Sequence, residues 1–193
     1  MDFIFEQEEQ KTNLTVWDRY CPIIKGKETI DVYLTEHIAE PATYNELVSI
    51  LNNAKPYQTV NLYINNGGGA VDSAIFIRDA IQMSEANVIA HLSGTVASAA
   101  TVIALSCDDI VTAPYLAFMI HNYSSGMQGK GHELKAYQTF MDRELTRAFR
   151  DIYRGFLTDE EMEKVLDGQD IWLNEFEVSE RWNDRIDLKT TGN

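Results

Sequence analysis

The chain has 193 residues, 45% hydrophobic and 24% charged, which suits one globular domain with a sizeable core and leaves little room for a second. It carries 30 acidic against 16 basic side chains, a net charge of −14 with no basic patch, so a phosphate backbone would be repelled and nucleic-acid binding is a poor reading. No apolar run approaches the roughly 20 residues that cross a bilayer, and the acidic start, Met1-Asp2-Phe3-Ile4-Phe5-Glu6, has the character of neither a membrane span nor a secretory signal.

Residues 1 to about 28 show little pattern and are expected to form an N-terminal arm, with 29–193 as a single domain. Cys21 and Cys107 lie far apart without metal-type spacing, which predicts buried or free thiols in a reducing compartment and no metal site. From Thr29 the order sharpens. Ile30-Asp31-Val32-Tyr33-Leu34 alternates as a strand does; Pro41 then introduces Thr43-Tyr44-Asn45-Glu46, a capping-box sequence, ahead of Leu47, Val48 and Leu51 at helical spacing. Val60 to Ile64 reads as a second strand running into Gly67-Gly68-Gly69. A helix from Val71 to Met83 follows, with Asp72 or Ser73 near its cap, then a strand over Val88 to Leu92.

Gly94-Thr95-Val96-Ala97-Ser98-Ala99-Ala100 is small throughout before turning apolar, the pattern of a tight turn entering a helix with one hydroxyl at its head. Two short strands come next, Asp109 to Ala113 and Leu116 to Ile120, the second delivering His121. A long amphipathic helix is expected from about His132 to Tyr153, carrying Leu134, Tyr137, Met141, Leu145, Ala148 and Ile152 on one side. Thr158-Asp159-Glu160-Glu161 caps a short helix to Leu166; Asn174 to Trp182 reads as another helix, before a last strand near Ile186. Strand and helix in alternation predict an α/β fold with a largely parallel sheet, whose functional loops lie at the carboxyl ends of the strands.

Three segments at such ends carry possible chemistry. The glycines permit backbone conformations that a Cβ forbids, suiting a phosphate cradle, an oxyanion hole or a plain tight turn; neither GxxxxGK[ST] nor GxGxxG is present. Ser98 is a nucleophile or simply a helix start, since amides at a helix head can hold negative charge. His121, at the end of an apolar strand, is a base or a structural imidazole, and Asp170, between Gly168 and Ile171-Trp172-Leu173, is an imidazole partner or a helix cap. Each supplies what the others lack.

Tyr63-Ile64-Asn65-Asn66-Gly67-Gly68-Gly69, Gly94-Thr95-Val96-Ala97-Ser98-Ala99, Met119-Ile120-His121 and Gly168-Gln169-Asp170-Ile171-Trp172-Leu173 follow one another at nearly the spacing of the proteolytic subunit of the Clp protease. Over roughly Thr29 to Asp187 the chain resembles that ClpP family of serine peptidases. The resemblance implies a crotonase-like α/β spiral of ββα units with a protruding handle helix at about 132–153. It further implies Ser98 as nucleophile, His121 as general base, Asp170 orienting the imidazole, and the backbone amides of Gly69 and Ala99 as oxyanion hole. Gly126, Met127 and Gln128, in the loop Ser125 to Gly131, would pair with extended peptide substrate. Heptameric rings, single or stacked in pairs, an AAA+ unfoldase as partner, no cofactor, and a cytoplasmic setting in a bacterial cell or a virus-infected host are also implied.

Some positions depart from the family pattern. Gly67 stands where proline is usual, Asn122-Tyr123 replaces Gln-Pro, the interval from Ser98 to His121 is slightly short, and the first 28 residues do not match the axial loop. By analogy, such divergence is what is expected of a virus-encoded or paralogous member, including one used in capsid maturation. Asp167 is the alternative third member of the triad. Two other classes fit the same residues: a crotonase-type acyl-CoA hydratase or isomerase, and a catalytically silent ring or scaffold component.

Overall fold

The strand pattern is informative because parallel sheets covered on both faces are apolar throughout, whereas these strands alternate. The computed structural model describes residues 21–124, 126 and 128–191. Seven strands form one sheet: β1 (Ile23–Lys25), β2 (Thr29–Leu34), β3 (Thr59–Asn66), β4 (Asn87–Ala97), β5 (Asp109–Thr112), β6 (Ala117–Ile120) and β7 (Ile171–Leu173). The helices are α1 (Asn45–Asn53), α2 (Val71–Met83), α3 (Ala99–Ala104), α4 (Gly131–Ile152), α5 (Asp159–Leu166) and α6 (Glu175–Thr191). The strand order is β1-β2-β3-β4-β6-β7, with β5 beside β4 off that path. β2 through β6 pair in parallel, while β1 and β7 are antiparallel edges.

One face carries the core. Ile30, Val32, Leu34, Val60, Leu62, Ile64, Val88, Ala90 and Leu92 point into a cluster completed by α1, α2 and α3 through Leu47, Leu51, Ala74, Ile77 and Ile103. Burying each large aliphatic side chain there contributes about 1.5–3 kcal/mol. The alternate residues form the other face, where Tyr33, Tyr63 and His91 stack across three strands with ring centroids 4.9 and 4.7 Å apart.

The chain departs from its sequence reading at five places. Gly94 to Ala97 is strand, not turn: Gly94, at φ 60°, lets β4 bend so that Ile89–Leu92 pair with β5 while Thr95–Ala97 pair with β6. No capping box forms at Thr43, because Pro41 starts a 3₁₀ turn over Pro41–Tyr44 and so puts Thr43 inside a turn instead of at its head. At α2 the N-cap is Ala70, and Ser73 is buried, donating instead to the Ala39 carbonyl at 2.6 Å. The strand expected near Ile186 is helix: α6 continues to Thr191 because Val178, Trp182 and Arg185 recur on one buried side. There the Trp182 indole donates to Asp109 at 3.1 Å and Arg185 to the Leu105 carbonyl at 3.1 Å. Finally, Ile171-Trp172-Leu173, unassigned from sequence, is the edge strand β7.

The capping box expected at Thr158 is made, with Glu161 closing it. α4 runs over Gly131–Ile152 near the expected range, and its buried residues are Leu145, Phe149 and Ile152 at its last turns. Its earlier turns are open, with Tyr137 45% and Phe140 52% exposed. Of the segment expected as an arm, residues 1–20 lie outside the described residues, and Ile23–Lys25 supplies β1.

Candidate active site

Four neighbouring strands, β3, β4, β6 and β7, bring the four candidate segments together, so the site follows from strand order. β3 ends in the glycine loop and β4 ends at Ser98. The β4–β6 register pairs Ala97 with Met119, and the Ser98 amide extends it by donating to the Met119 carbonyl at 2.9 Å. His121 is then two residues past Met119, on the strand flanking the nucleophile. β7 runs antiparallel to β6 with Ile120 opposite Ile171. Continuing that register by one residue sets Asp170 against His121 on the same face of the sheet.

Ser98 sits at φ 57°, ψ −128°, a left-handed conformation that costs an L-residue about 1–3 kcal/mol and persists only where the surroundings hold it. Those surroundings are visible. Fully buried Thr101 donates its hydroxyl to the Ser98 carbonyl at 2.7 Å and lies 2.7 Å from the Tyr153 hydroxyl. Burial pushes the Tyr153 phenol up to about 12, so it stays a neutral hydrogen-bonding group. The result aims the Ser98 hydroxyl outward from the turn, 2.7 Å from Nε2 of His121.

The glycine loop closes the other side. A Cβ on Gly68, whose φ is 100°, would lie 2.7 Å from the Ser98 Cβ and 2.8 Å from the Ala97 carbonyl, so only glycine permits this approach. The loop is held from below by buried Asn66, whose side chain accepts from the Gly68 amide at 2.8 Å and donates to the Leu34 and Glu36 carbonyls. Ile38 brackets it, donating to the Gly68 carbonyl and accepting from the Ala70 amide, each at 2.9 Å. The imidazole of His37 lies over Gly69, 2.8 Å from where a Cβ would be. Among the described residues the amides of Gly69 and Ala99 donate to no other group.

The structure thus brings together Ser98, His121 and the glycine loop. It does not close the third link: Asp170 is exposed, and among the described residues no hydrogen bond joins it to His121. Asn122 ties the two segments, donating to the Leu166 carbonyl at 3.0 Å, and Tyr123 donates its hydroxyl to Asp142 of α4. That hydrogen bond is the main reason the Tyr123 phenol is raised to about 12. Asp167 is also exposed. Of the candidate peptide-pairing residues, Gly126 and Gln128 are exposed and outside any strand, and Met127 lies outside the described residues.

Asn66, His37, Thr101 and Tyr153 escape sequence reasoning, since nothing in their local pattern separates a buried anchor from a surface residue. Among the described residues no cluster of three or more His, Cys, Asp or Glu side chains could hold a metal ion, and no helix is long and apolar enough to cross a membrane. An imidazole next to a hydroxyl, with free amides alongside, can take the hydroxyl's proton and hold negative charge developing on a substrate oxygen.

Comparison with known proteins bears on the family of the chain. The family model described as Clp protease matches residues 23–179. Among curated proteins, the ATP-dependent Clp protease proteolytic subunit 2 of Pseudomonas aeruginosa is 32% identical over 121 residues, 60% of this chain and 58% of that protein, so the alignment spans less than two thirds of the relative. The subunit of the same name from Treponema denticola is 29% identical over 184 residues, 90% of this chain and 88% of the relative. The proteolytic subunit from Porphyromonas gingivalis is 26% identical over 185 residues, 90% of this chain and 78% of the relative.

Proposed function

The chain belongs to the Clp protease family, and from that premise we propose that it is a serine endopeptidase subunit of a self-compartmentalising protease, cleaving unfolded polypeptides through Ser98, His121 and Asp170. The observation that carries the reading is the 2.7 Å contact between the Ser98 hydroxyl and Nε2 of His121, at a serine whose backbone is held at φ 57°. In this mechanism His121 accepts the Ser98 proton as Oγ attacks the scissile carbonyl carbon. The carbonyl oxygen becomes an oxyanion held by the Gly69 and Ala99 amides, each donor contributing about 3–4 kcal/mol of transition-state stabilisation. Collapse expels the amine, which takes its proton from His121, and water repeats the sequence on the acyl-enzyme. Asp170 orients the imidazole and stabilises its charged form.

The relatives' names describe proteolytic subunits of ATP-dependent Clp proteases; with the family resemblance, they support a reading in which this chain works in homo-oligomeric rings, heptameric or doubly heptameric, with a separate AAA+ unfoldase for folded substrates. The open turns of α4, with Tyr137 and Phe140 exposed, support its use as the helix through which rings meet.

Reaction with a small fluorophosphonate tests the reading. It should modify Ser98 alone by intact-mass and peptide mapping, and Ser98→Ala should lower peptide cleavage by a factor on the order of a million. A Ser98→Ala protein with wild-type turnover defeats it. Absence of labelling on the assembled wild-type chain would favour the silent scaffold or the acyl-CoA enzyme.

A further inference from the structure

We infer that Thr101 and Tyr153 are positioning residues for the oxyanion: their two hydroxyls form a one-way relay onto the Ser98 carbonyl, and through that peptide they aim and polarise the Ala99 amide. The inference rests on the peptidase reading above and adds two residues to its chemistry.

The direction of the relay follows from counting protons. A carbonyl only accepts, so the Thr101 hydroxyl spends its single proton on the Ser98 oxygen at 2.7 Å. The Tyr153 hydroxyl, 2.7 Å from the same Thr101 oxygen, must therefore be the donor of that pair. The Thr101 amide also reaches the Ser98 oxygen, at 2.9 Å, so one carbonyl collects two donors and the phenol strengthens one of them. Thr101 and Tyr153 are both buried, and in a dry setting chained hydrogen bonds polarise one another.

The Ser98 carbonyl and the Ala99 N–H are the two ends of one planar, conjugated peptide unit. Donors on the oxygen draw electron density from the nitrogen, which makes the N–H a stronger donor, and pinning the oxygen fixes the direction in which the N–H points. That amide lies against the glycine loop: its nitrogen is 3.1 Å from where a Cβ on Gly68 would stand. The far end of the relay is equally fixed. Tyr153 closes α4 with its amide on the Phe149 carbonyl at 2.9 Å, and its own carbonyl accepts from the Phe156 and Leu157 amides at 3.0 Å each. Its ring meets Phe149 edge to face, with centroids 5.7 Å apart. Thr101→Val and Tyr153→Phe each keep the packing and break the relay.

The test uses the assembled full chain and a matched pair of substrates, N-acetyl-leucine methyl ester and its thionoester, which differ only in carrying C=O or C=S at the attacked carbon. Sulfur is the weaker acceptor, so the ratio of the two kcat/KM values reads the oxyanion donors and not the nucleophile. Removing a whole oxyanion donor costs about 10²–10³-fold. Weakening one in Tyr153→Phe should lower kcat for the oxygen ester by about tenfold and for the thionoester by under about twofold, with KM near wild type. Thr101→Ser, which keeps the hydroxyl, should recover most of the ratio that Thr101→Val loses. The double variant Thr101→Val with Tyr153→Phe separates this role from a structural one: removing both partners of a buried hydrogen bond is nearly neutral for folding, whereas Thr101→Val alone strands the phenol. Its urea midpoint should return toward wild type while its ester ratio stays low. Ser106→Ala, which deletes a buried hydroxyl bonded to the Val102 carbonyl at 2.6 Å past the far end of α3, should not move the ratio. An unmoved ratio in Tyr153→Phe, an equal fall for both esters, or a ratio that recovers with stability in the double variant overturns the inference. If instead the wild-type chain turns over neither ester and takes no fluorophosphonate at Ser98, the peptidase reading falls and this goes with it.

Discussion

Gly68→Ala is the sharpest perturbation the site offers, because its cost and its location are both set by one contact. A methyl there would lie 2.7 Å from the Ser98 Cβ, 2.8 Å from the Ala97 carbonyl and 3.1 Å from the Ala99 amide, where ordinary contact starts at 3.4 Å, so about 0.7 Å must be found. None of these atoms is the end of a flexible side chain. Overpacking of this kind costs about 1–3 kcal/mol, and the φ of 100° adds about 1–2 kcal/mol for an L-residue in left-handed space. Reduced freedom of the unfolded chain returns about 0.4–1 kcal/mol. The net is about 1–5 kcal/mol, a drop in Tm of roughly 2–20 °C for a chain of this length. The displacement also falls on the nucleophile's own turn, and a misplacement approaching 1 Å costs on the order of 100-fold in rate. Gly67→Ala is the matched control: a Cβ there meets nothing within 4 Å, and the change should stay within about 0.5 kcal/mol. Urea denaturation at fixed protein concentration and the rate of fluorophosphonate labelling read the two variants. If Gly68→Ala matches Gly67→Ala in both, the loop does not press on Ser98 and the reasoning fails.

Glu161 offers a pH test. Hydrogen bonds from Arg181, both at 2.8 Å, and then those at the Thr158 cap hold its carboxyl down at about 2 against an ordinary 4.5, although burial works the other way. The folded value lies below the unfolded one, so the stabilisation is complete above about pH 4.5 and disappears as pH falls toward 2. With the pair partly screened by solvent, Glu161→Gln should cost about 1–2 kcal/mol at pH 7 and little near pH 2.5; a gap in urea midpoints that is constant with pH would contradict this. The cysteines supply another test. Burial, and then the charge of Glu46, raises the Cys21 thiol to about 12, and burial raises Cys107 further still. Ellman's reagent should find no fast thiol in the native protein and both after unfolding. Rapid titration of either one at pH 7.5 would show that its burial is wrong.

The strands β2, β3 and β4 are legible because the sheet has one helix-covered face: alternation survives at Ile30-Asp31-Val32-Tyr33-Leu34 where a doubly covered parallel strand would be uniformly apolar. His121 is legible because it ends an apolar strand, and Ser98 and the glycines because each lies in a run of small residues just past a strand. What local pattern misses is tertiary. The path of β4 past Gly94 depends on its changing partner from β5 to β6, and β7, three residues long, is a strand only because β6 needs an antiparallel edge partner. The strand expected near Ile186 is helix because Val178, Trp182 and Arg185 set a helical period that carries α6 through it. His37 has no local signature at all; it reaches Gly69 only through the pairing of Ile38 with that loop.

Asp170 is where the geometry and the proposed chemistry have most to say to each other. The hydroxyl and imidazole are already within bonding distance, whereas the carboxylate is exposed and, among the described residues, unengaged. A carboxylate in water orients an imidazole weakly, because its interaction is screened and it competes with solvent; a dry one fixes the tautomer, and losing it costs on the order of 10⁴-fold in kcat where that has been measured in a serine protease. The distance to travel is short, since continuing the β6–β7 register puts the two residues side by side, and the Asn122 bond to the Leu166 carbonyl keeps the intervening turn docked on the strand end. Covering this edge on assembly would exclude water from the pair without moving β6. Asp170→Asn should therefore lower kcat of the assembled protein by about 10³–10⁴ while Asp167→Asn stays near wild type. Fluorogenic-peptide turnover by assembled protein, with oligomeric state verified by light scattering, measures both. A loss of under about tenfold in Asp170→Asn would mean that Ser98 and His121 act as a dyad, and an equal loss in Asp167→Asn would move the third role to that residue.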